Sequence, residues 1–487
     1  MSTINLLPIL SCKKIQQLDS YTIENMGIPQ AALMEEAAER VFTAMCEDFP
    51  KISAGTILIL AGSANNGADS LCIARKLFFA GANVLVCIIN DNGSDLFVQH
   101  LTVCRNLGMN IKTVNDEPNS SSFDFVIDGI FGIGYKFNPQ RPFPLPEKWR
   151  KVTENAIVLA VDVPSGLSEN NDTTLKADIT YSIGFPKDIF YNAKNRPFCG
   201  KIRSVGISFD KAKTDSSFHL AVSIGNSAAH LCKSDFVHKY KRGSCLILGG
   251  SPGKNGAAGY CSSAAFAAGC GITAILTGAA NFPDIANTKK EAVYDVLEHI
   301  SLYKQYTCTV IGPGLGVLRD DEKLFISDFI KNYDGQLLFD ASFFTIFEAS
   351  ILKNCRKPPL LTPHSGEFKK FFNQTEISIE KAAETAKQHN CFLLLKDSFM
   401  IFASPNGNAT VFDFPMRIAA QAGSGDLLAG YIAGNIVQTD TVYEAVSISV
   451  MRFYNELKKF KDKNCYLPEE LILYLSYSAE HKITDKD

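Results

Sequence analysis

The chain has 487 residues and a formal net charge of −3, with 48 basic and 51 acidic residues spread along its length. This length exceeds one ordinary hydrophobic core, so we expect two or three domains. The scattered charge forms no basic patch, so neither nucleic acid nor a membrane surface is an expected partner. The 14 cysteines contain no C-x-x-C pair, and the N-terminus lacks the features of a secretory signal. Both observations indicate a cytoplasmic protein with reduced thiols.

The first half of the sequence predicts alternating helices and buried strands. Residues 11–49 read as two helices broken at Gly27-Ile28-Pro29. Apolar runs bounded by glycine or polar residues then predict parallel strands at residues 55–60, 83–89, 124–128 and 156–161. Three of them are followed by polar, glycine-containing loops, and such loops meet at one edge of a parallel sheet, where ligands bind. A strand pair near residues 202–207 and 220–222 is expected to close this domain.

The three loops resemble those of the YjeF N-terminal family, the NAD(P)H-hydrate epimerases. The matching motifs are Asn65-Asn66-Gly67-x-Asp69, Asp128-x-x-x-Gly132-x-Gly134 and Asp162-x-Pro164-Ser165-Gly166. The resemblance implies a Rossmann-like α/β epimerase domain over residues 1–220. It implies that Asp162 and Lys187 are catalytic, and that a potassium ion is held by Asn66, Asp128 and Ser165. It also implies a substrate site formed by Asn65, Asn66, Gly67, Asp69, Gly132 and Gly134.

The loop that contains Asn66 departs from the family pattern. Ala64, Ala68 and Ser70 stand where the family usually has glycines. A glycine is required wherever the backbone has a positive φ angle or makes a close approach, so these changes bear on the loop geometry. A nucleotide-sensing or protein-binding module without turnover is therefore the alternative reading of this domain.

The second half again predicts strands that end in glycine-containing or acidic turns. These strands lie near residues 243–248, 310–311, 337–340, 360–361 and 392–396. The uncharged residues 255–283 are rich in glycine, alanine and serine, which favours a helix packed on a sheet over a membrane span. Near the C-terminal end, Ala422-Gly423-Ser424-Gly425-Asp426 opens an uncharged helix. The amides of such a helix N-terminus can bind a phosphate while the carboxylate takes a proton, whereas the simpler reading is a tight turn capped by aspartate.

This half resembles the ADP/ATP-dependent NAD(P)H-hydrate dehydratases, which have the fold of ribokinase-like sugar kinases. The shared motifs are a Gly-Gly-Ser turn, Gly-Pro-Gly-Leu-Gly, Thr-Pro-His-x-Gly-Glu-Phe and Gly-Ser-Gly-Asp. The resemblance implies a dehydratase domain over residues 221–487 that uses ADP or ATP with Mg²⁺. It assigns Asp426 as the base that activates the hydroxyl of hydrated NADH or NADPH. The implied binding residues are Gly423, Ser424, Gly425 and Lys396 for the nucleotide, and Ala257, Gly316 and His364 for the substrate.

Two questions stay open at the level of sequence. The family tends to show Lys-Gly-x-x-Thr where this chain has Lys396-Asp397-Ser398, and an acidic side chain beside a phosphate is unfavourable, so the nucleotide preference is undecided. A kinase of a small alcohol would use the same Gly-Ser-Gly-Asp site, with a non-catalytic nucleotide-binding domain before it. We further expect the protein to form a homo-oligomer.

Overall fold

The computed structural model describes residues 4–118, 122–135, 143, 145–168, 174–224, 242–286, 291–414 and 417–476. The chain forms two compact units. Pro8–Ser216 make up the first unit, and Met1–Leu7 together with Ser217–Asp487 make up the second unit. Both units are α/β structures built on largely parallel sheets, as the sequence predicts. Within the described ranges, no helix combines the length and apolar character needed to cross a bilayer.

The first unit is built around a seven-stranded parallel sheet. After β1 (Ile4–Pro8), which belongs to the second unit, its strands are β2 (Thr56–Ala61), β3 (Asn83–Ile88), β4 (Asn110–Thr113), β5 (Phe125–Gly129), β6 (Ile157–Val161), β7 (Ile179–Ile183) and β8 (Lys201–Val205). They are arranged in the order β4-β3-β2-β5-β6-β7-β8. The helices are α1 (Cys12–Glu24), α2 (Gln30–Asp48), α3 (Asn65–Phe79), α4 (Asp95–Asn106), α5 (Glu147–Lys151) and α6 (Arg196–Cys199).

The first two helices form where the sequence places them. The Ser11 side chain accepts a hydrogen bond from the Lys14 amide and caps α1, satisfying a donor that the first helical turn leaves free. Gly27 adopts a φ angle of 73°, a conformation that interrupts the helical path at little cost for glycine. In α2, Leu33 and Val41 are buried.

Strands β2, β5 and β6 lie side by side in parallel register, with Ala61 opposite Gly129 and Asp128 opposite Ala160. The three motif-bearing strand ends therefore share one edge of the sheet, as predicted. One local expectation is corrected. The polar segment after β2 is not a long loop, because α3 begins at Asn65. Its polar residues therefore occupy the first two turns of a helix.

The second unit contains an eleven-stranded sheet, in the order β1-β9-β18-β17-β16-β15-β14-β13-β10-β11-β12. Its further strands are β9 (Phe218–Ile224), β10 (Ser244–Leu248), β11 (Ile272–Thr277), β12 (Val293–Val296), β13 (Cys308–Ile311), β14 (Gln336–Phe339), β15 (Leu360–Leu361), β16 (Phe392–Lys396), β17 (Met400–Ala403) and β18 (Ala409–Phe412). Its helices are α7 (Asn255–Ala267), α8 (Phe282–Ile285), α9 (Asp320–Asn332), α10 (Phe343–Ile346), α11 (Ser365–Phe371), α12 (Ile379–Gln388), α13 (Ser424–Ile436), α14 (Val442–Leu457) and α15 (Pro468–Ser476).

The expected strand pair at the end of the first domain is wrong. Strand β8 pairs with β7 in the first sheet, but β9 lies between β1 and β18 in the second sheet, with Leu220 opposite Val411. The residue pattern of a short segment can identify a strand, but it does not identify the strand that pairs with it. The expectation that the uncharged segment packs on the sheet is confirmed, since it forms α7, β11 and α8.

Helices α7 and α13 pack closely in the core of the second unit, and glycines allow the approach. A Cβ atom added to Gly430 would lie 2.0 Å from the carbonyl oxygen of Cys261, and one added to Gly434 would lie 2.4 Å from that of Ala265. Neither position can accept a side chain without separating the two helices. This contact fixes the position of the α13 N-terminus, where the Gly-Ser-Gly-Asp motif lies.

Replacing Gly430 with alanine should therefore destabilise the second unit, by about 1–3 kcal/mol, because the core is overpacked. Gly256→Ala is a matched control, since a Cβ atom there meets no heavy atom within 4 Å, and helix propensity favours alanine. Urea unfolding midpoints of the two variants provide the comparison. Equal midpoints for both would show that the helices are not held at this distance.

Candidate functional site

The first unit contains a cavity of about 580 Å³ between α1, α2, α3 and the segments that follow β5 and β6. Its lining includes six of the residues predicted from the motifs: Asn65, Asn66, Asp69, Gly132, Gly134 and Asp162. Gly67 is absent from the lining, and its role is in packing. A Cβ atom at Gly67 would lie 1.7 Å from the carbonyl oxygen of Gly62, so only glycine fits where the start of α3 crosses the end of β2.

Asp162 and Lys187 form a buried ion pair at the cavity wall. The ammonium group is fully buried and donates hydrogen bonds to the Asp162 carboxylate, to Ser182 Oγ at 2.9 Å and to the Ile183 carbonyl oxygen at 2.9 Å. Three acceptors satisfy its three protons, which is what permits such deep burial of a charge. Asp162 itself has a φ angle of 69°, a conformation that is costly for a non-glycine residue and is concentrated at functional sites.

Two further carboxyl groups share this cavity with Asp162. Burial, followed by the charges of Asp162 and Asp19, raises the pKa of Asp69 well above its usual value. Burial and the Asp162 charge also raise the pKa of Asp19, although Lys187 opposes that shift. A carboxyl group that retains its proton near neutral pH can donate a hydrogen bond or a proton. Asp19 lies in the amphipathic helix α1 outside every motif, so the sequence analysis did not identify it.

The proposed cation ligands are partly brought together by the fold. Asp128 is fully buried and accepts hydrogen bonds from the Ser165 amide at 2.7 Å, from the Ser165 hydroxyl and from the Ile130 amide at 3.3 Å. Burial raises the pKa of Asp128 to about 6, against the lowering effect of those hydrogen bonds. The Asn66 side chain lies beside Gly132, and its buried Nδ2 atom has no hydrogen-bond partner in the described part of the chain.

These residues fit a monovalent cation by their chemistry. A carboxylate, a hydroxyl and an amide supply oxygen donors, the type that potassium prefers. The free Nδ2 atom shows that protein hydrogen bonds do not fix the orientation of the Asn66 amide, so its oxygen can turn toward an ion. A positive charge near Asp128 would also favour the ionised carboxylate that burial disfavours.

The three departures from the family glycines are compatible with this backbone. Ala64 precedes α3 with a φ angle of −110°, and Ala68 and Ser70 are helical. None of the three adopts a left-handed conformation, so none requires glycine on that ground. Ser70 adds a hydrogen bond from its hydroxyl to the Asn66 carbonyl oxygen at 2.9 Å. The substitutions therefore do not distort the start of α3.

In the second unit, the predicted base Asp426 lies in the first turn of α13, after Gly423 in the left-handed conformation. Burial, followed by the charge of Asp340, raises the pKa of Asp426 to about 7, whereas Lys396 lowers it. A Cβ atom on Gly425 would lie 3.6 Å from Lys396 Nζ, so the Lys396 ammonium group reaches the N-terminus of α13. One cation, two carboxyl groups and the positive end of a helix thus meet, where the Ser424 amide donates to the Gln421 carbonyl oxygen at 3.2 Å.

Lys396 is positioned by Asp340, which the sequence analysis noted only as the end of a strand. The two side chains form an ion pair of 2.9 Å, and the Thr362 hydroxyl donates to the same carboxylate oxygen at 2.7 Å. Asp340 is 2% exposed, so removal of Lys396 would leave a buried, uncompensated charge.

The acidic residue that follows Lys396 has a local partner. The Asp397 carboxylate accepts a hydrogen bond of 2.6 Å from the Ser398 amide, within the turn after β16.

The predicted substrate residues Ala257 and Gly316 lie around one glycine-rich loop after β13. Gly314 in this loop approaches the first turn of α7, because an added Cβ atom would be 3.1 Å from the Ala257 Cβ. A Cβ atom on Gly316 would be 2.6 Å from Ser251 Oγ, and one on Gly312 would be 1.7 Å from the Asp340 carbonyl oxygen. The loop therefore joins the start of α7 to the strand end that holds Asp340.

His364 serves as the N-cap of α11. Its Nδ1 atom accepts hydrogen bonds from the amides of Gly366 at 3.0 Å and Glu367 at 3.3 Å, while the Glu367 carboxylate accepts from the His364 amide at 2.9 Å. The two residues thus form a capping box in which Nδ1 is the acceptor. The His364 side chain is 62% exposed, and its Nε2 atom lies 3.5 Å from the Glu367 carboxylate.

Removing the charge of Lys187 should destabilise the first unit by about 3–5 kcal/mol, because Asp162 would be left unpaired in a buried site. Asp162→Asn combined with Lys187→Met should cost less than the sum of the single changes. Lys201→Met is the control, since the Lys201 side chain is 64% exposed and its partner Asp48 would keep its ion pair with Arg203, so the loss should be no more than about 1 kcal/mol. Urea unfolding of the four variants gives the coupling free energy, and additive single changes would disprove the pairing.

The sequence of each unit matches a known family. Residues 30–189 match the family described as YjeF-related protein N-terminus, and residues 245–474 match the family described as NAD(P)H-hydrate dehydratase. Both resemblances inferred from the motifs are thereby confirmed.

Relatives align along nearly the whole chain. The bifunctional NAD(P)H-hydrate repair enzyme Nnr of Gloeobacter violaceus is 28% identical over 477 residues, which cover 92% of each chain. The protein of the same name from Dictyoglomus turgidum is 27% identical and covers 98% of this chain and 99% of its own. The solved structure of an ADP/ATP-dependent NAD(P)H-hydrate dehydratase from Bacillus subtilis, co-crystallised with ATP/Mg²⁺, has 24% identity and a TM-score of 0.43, and covers 51% of this chain and 92% of that one. The chain thus belongs to the family of proteins in which a YjeF-related N-terminal domain precedes an NAD(P)H-hydrate dehydratase domain.

Proposed function

We propose that this protein repairs hydrated NADH and NADPH. The first unit exchanges the two epimers of the hydrate, and the second unit dehydrates the S-epimer in a reaction that consumes ADP or ATP. The observation that carries the proposal is the group formed by the buried Asp340 and the partly buried Lys396 and Asp426 at the N-terminus of α13, in a chain that joins the two families. Homo-oligomeric assembly, the absence of nucleic-acid and membrane partners and residence in the cytoplasm stay predictions from the sequence.

The chemistry of the hydrate explains why a kinase-like site is needed. Hydration places a hydroxyl group on a carbon next to the ring nitrogen, and hydroxide is a poor leaving group. Transfer of a phosphoryl group to that oxygen creates a phosphate ester, whose C–O bond breaks with release of phosphate. Loss of the neighbouring proton restores the carbon–carbon double bond. No electrons are exchanged with a redox partner, so the site needs phosphoryl transfer and proton transfer alone.

In the second unit, Asp426 is the proposed base that takes the proton from the substrate hydroxyl. Its raised pKa matches a proton acceptor that works near neutral pH. The amides of Gly423, Ser424 and Gly425 provide the proposed anion hole, and Lys396 contacts the nucleotide phosphates. The substrate pocket is assigned to Ala257, Gly316 and His364. Mg²⁺ would accompany the nucleotide and neutralise part of its phosphate charge.

In the first unit, the cavity that carries Asp162 is the proposed epimerase site, with Lys187 as its second catalytic group. Epimer exchange requires a proton donor and a proton acceptor near one carbon atom, and the cavity holds one carboxyl group paired with an ammonium group and another whose pKa burial raises well above its usual value. Substrate contacts are assigned to Asn65, Asn66, Asp69, Gly132 and Gly134. A potassium ion at Asn66, Asp128 and Ser165 would supply positive charge beside the substrate phosphates.

The direct test uses the purified full-length protein and hydrated NADH with ATP or ADP. Recovery of the nicotinamide absorbance together with release of inorganic phosphate supports repair. Retention of the phosphate on an organic product would instead indicate a kinase of a small alcohol. Supplying the R-epimer alone then reports on the first unit, because its recovery requires epimer exchange before dehydration.

Asp426→Asn should lower the kcat of dehydration by about 10²–10⁴-fold, the usual value of general-base assistance. Nucleotide affinity should change little, since asparagine keeps the shape of the side chain and Gly423, not Asp426, is the N-cap of α13. In the wild-type enzyme, kcat should rise with pH up to about 7, where Asp426 loses its proton. Steady-state kinetics across the pH range measure both effects, and a near-normal kcat in the variant contradicts the assignment.

The same variant provides a stability control. Because the pKa of Asp426 is higher in the folded chain than in the unfolded chain, the ionised carboxylate costs stability above pH 7, and this cost fades as the pH falls toward the unfolded pKa. Asp426→Asn should therefore be more stable than the wild type at pH 8 and equally stable near pH 4. A stability difference that did not change with pH would contradict the raised pKa of Asp426.

Asp128→Ala should remove any potassium dependence of epimer exchange, because the buried carboxylate is the charged member of the proposed ligand set. Ser165→Ala, which removes a neutral ligand, should weaken the dependence less. The rate of epimer exchange is measured in potassium and in a large organic cation at equal ionic strength. Equal rates in both salts for the wild-type protein would exclude a functional potassium site.

A further inference from the structure

A cluster of three potential metal ligands lies in the first unit, among residues that do not line the cavity. Cys72 Sγ lies 3.3 Å from Nδ1 and 3.2 Å from Nε2 of His100, and 3.8 Å from Glu35 Oε1. One ligand atom from each residue can be chosen so that all lie within 4.8 Å of one another. Within the described ranges, this is the one such group of histidine, cysteine and acidic side chains.

We propose that Glu35, Cys72 and His100 bind one borderline-soft divalent cation, with Zn²⁺ as the expected ion. Zinc binds cysteine sulfur at about 2.3 Å and histidine nitrogen or carboxylate oxygen at about 2.0–2.2 Å. In a tetrahedral site such bonds place the ligand atoms roughly 3.3–3.6 Å apart, close to the separations of Cys72 Sγ from His100 and Glu35, while all three ligand atoms lie within 4.8 Å of one another. A thiolate and an imidazole disfavour Ca²⁺ and Mg²⁺, which prefer oxygen ligands.

The three ligands come from three different helices. Glu35 lies on α2, Cys72 on α3 and His100 on α4, and α3 packs against both of the others. Cys72 and His100 are buried, at 0% and 6% exposure, whereas the Glu35 side chain is 37% exposed. A bound ion would therefore link the helices, and water can complete its coordination from the Glu35 side.

The surroundings position the carboxylate ligand and balance its charge. Arg75 donates a hydrogen bond to Glu35, and Lys76 lies 3.4 Å from the other oxygen of that carboxylate and 2.8 Å from Glu39. Hydrogen bonds of this kind orient ligating carboxylates at metal sites. In the absence of an ion, the charges of these two basic and two acidic side chains sum to zero. The Cys72 thiol releases its proton on binding, and its thiolate offsets half of the charge of the ion.

A metal ion at this site would stabilise the two helices that line the cavity in the same unit. Asp69 lines the cavity three residues before Cys72 on α3, and Leu33, Met34 and Ala37 line it from α2 around Glu35. Bound Zn²⁺ would thus hold α2 and α3 at a fixed separation. Its role is structural, and it is independent of the proposed epimerase chemistry.

The test measures metal binding by the full-length chain after treatment with a chelator. Titration with Zn²⁺ alone should give one tight equivalent that is lost in Cys72→Ser and in His100→Gln, with at least about a 100-fold rise in Kd. Cys46→Ser is the matched control, because this partly buried thiol lies on α2, the helix that carries Glu35, but outside the cluster, and it should retain the equivalent. Titration with Co²⁺ should give a thiolate-to-cobalt absorption band that requires Cys72.

A third ligand variant controls for the case in which the first two variants do not fold. Glu35→Gln changes a partly exposed side chain, so the chain should fold, bind Zn²⁺ about 10–100-fold more weakly and gain less thermal stability from the ion. Failure of the wild-type protein to bind Zn²⁺ would overturn the proposal. So would a tight equivalent in Cys72→Ser equal to that of Cys46→Ser, because Cys72 and His100 would then form only a thiol–imidazole hydrogen bond.

Discussion

The parallel direction of neighbouring strands is the constraint on which both candidate sites depend. In a parallel sheet all carboxyl ends lie at one edge, so residues that are far apart in sequence become neighbours there. Strands β2, β5 and β6 bring together the loops that carry Asn66, Asp128 and Asp162. Strands β13, β14, β15 and β16 do the same for the glycine-rich loop, Asp340, Thr362 and Lys396. The sheets hold these polar side chains in place while their own residues form the core.

Each site keeps charge in a place where burial opposes it. Asp162 with Lys187, and Asp340 with Lys396, are buried ion pairs, and such pairs contribute little net stability because desolvation offsets their attraction. Their persistence is consistent with a role in positioning reactive groups. In both units a further carboxyl group, Asp69 or Asp426, lies near the pair without a cation of its own, and its pKa is raised.

The sequence predicted the positions of strands and helices better than it predicted which strands pair with each other. The strand Phe392–Lys396 and the start of α7 at Asn255 agree with the structure, because apolar runs and glycine turns are local signals. The placement of β9 could not be predicted in this way, since strand pairing depends on distant residues. The same limitation applies to the site. Motifs identified Asp426, whereas Asp340 and Asp19 acquire their significance only from neighbours that folding supplies.

The cysteine and histidine of the helical cluster show that limitation most clearly. Cys72 and His100 are separated by 28 residues, a spacing that matches no zinc motif, and each alone reads as an ordinary core residue. Helices α3 and α4 bring them into contact because the two helices pack against each other and share one hydrophobic core with the strands.

The placement of β1 has a consequence for synthesis of the chain. The first strand to leave the ribosome belongs to the second unit, and its neighbour β9 follows only after the whole first unit. Domains generally fold in the order of their synthesis, so β1 has to wait, unpaired, while about 200 residues fold behind it. In topological terms the first unit is an insertion into the second. A gene fragment cut between the two units would therefore yield a second unit without its edge strand, with the backbone groups of β9 exposed to any other chain that can pair with them.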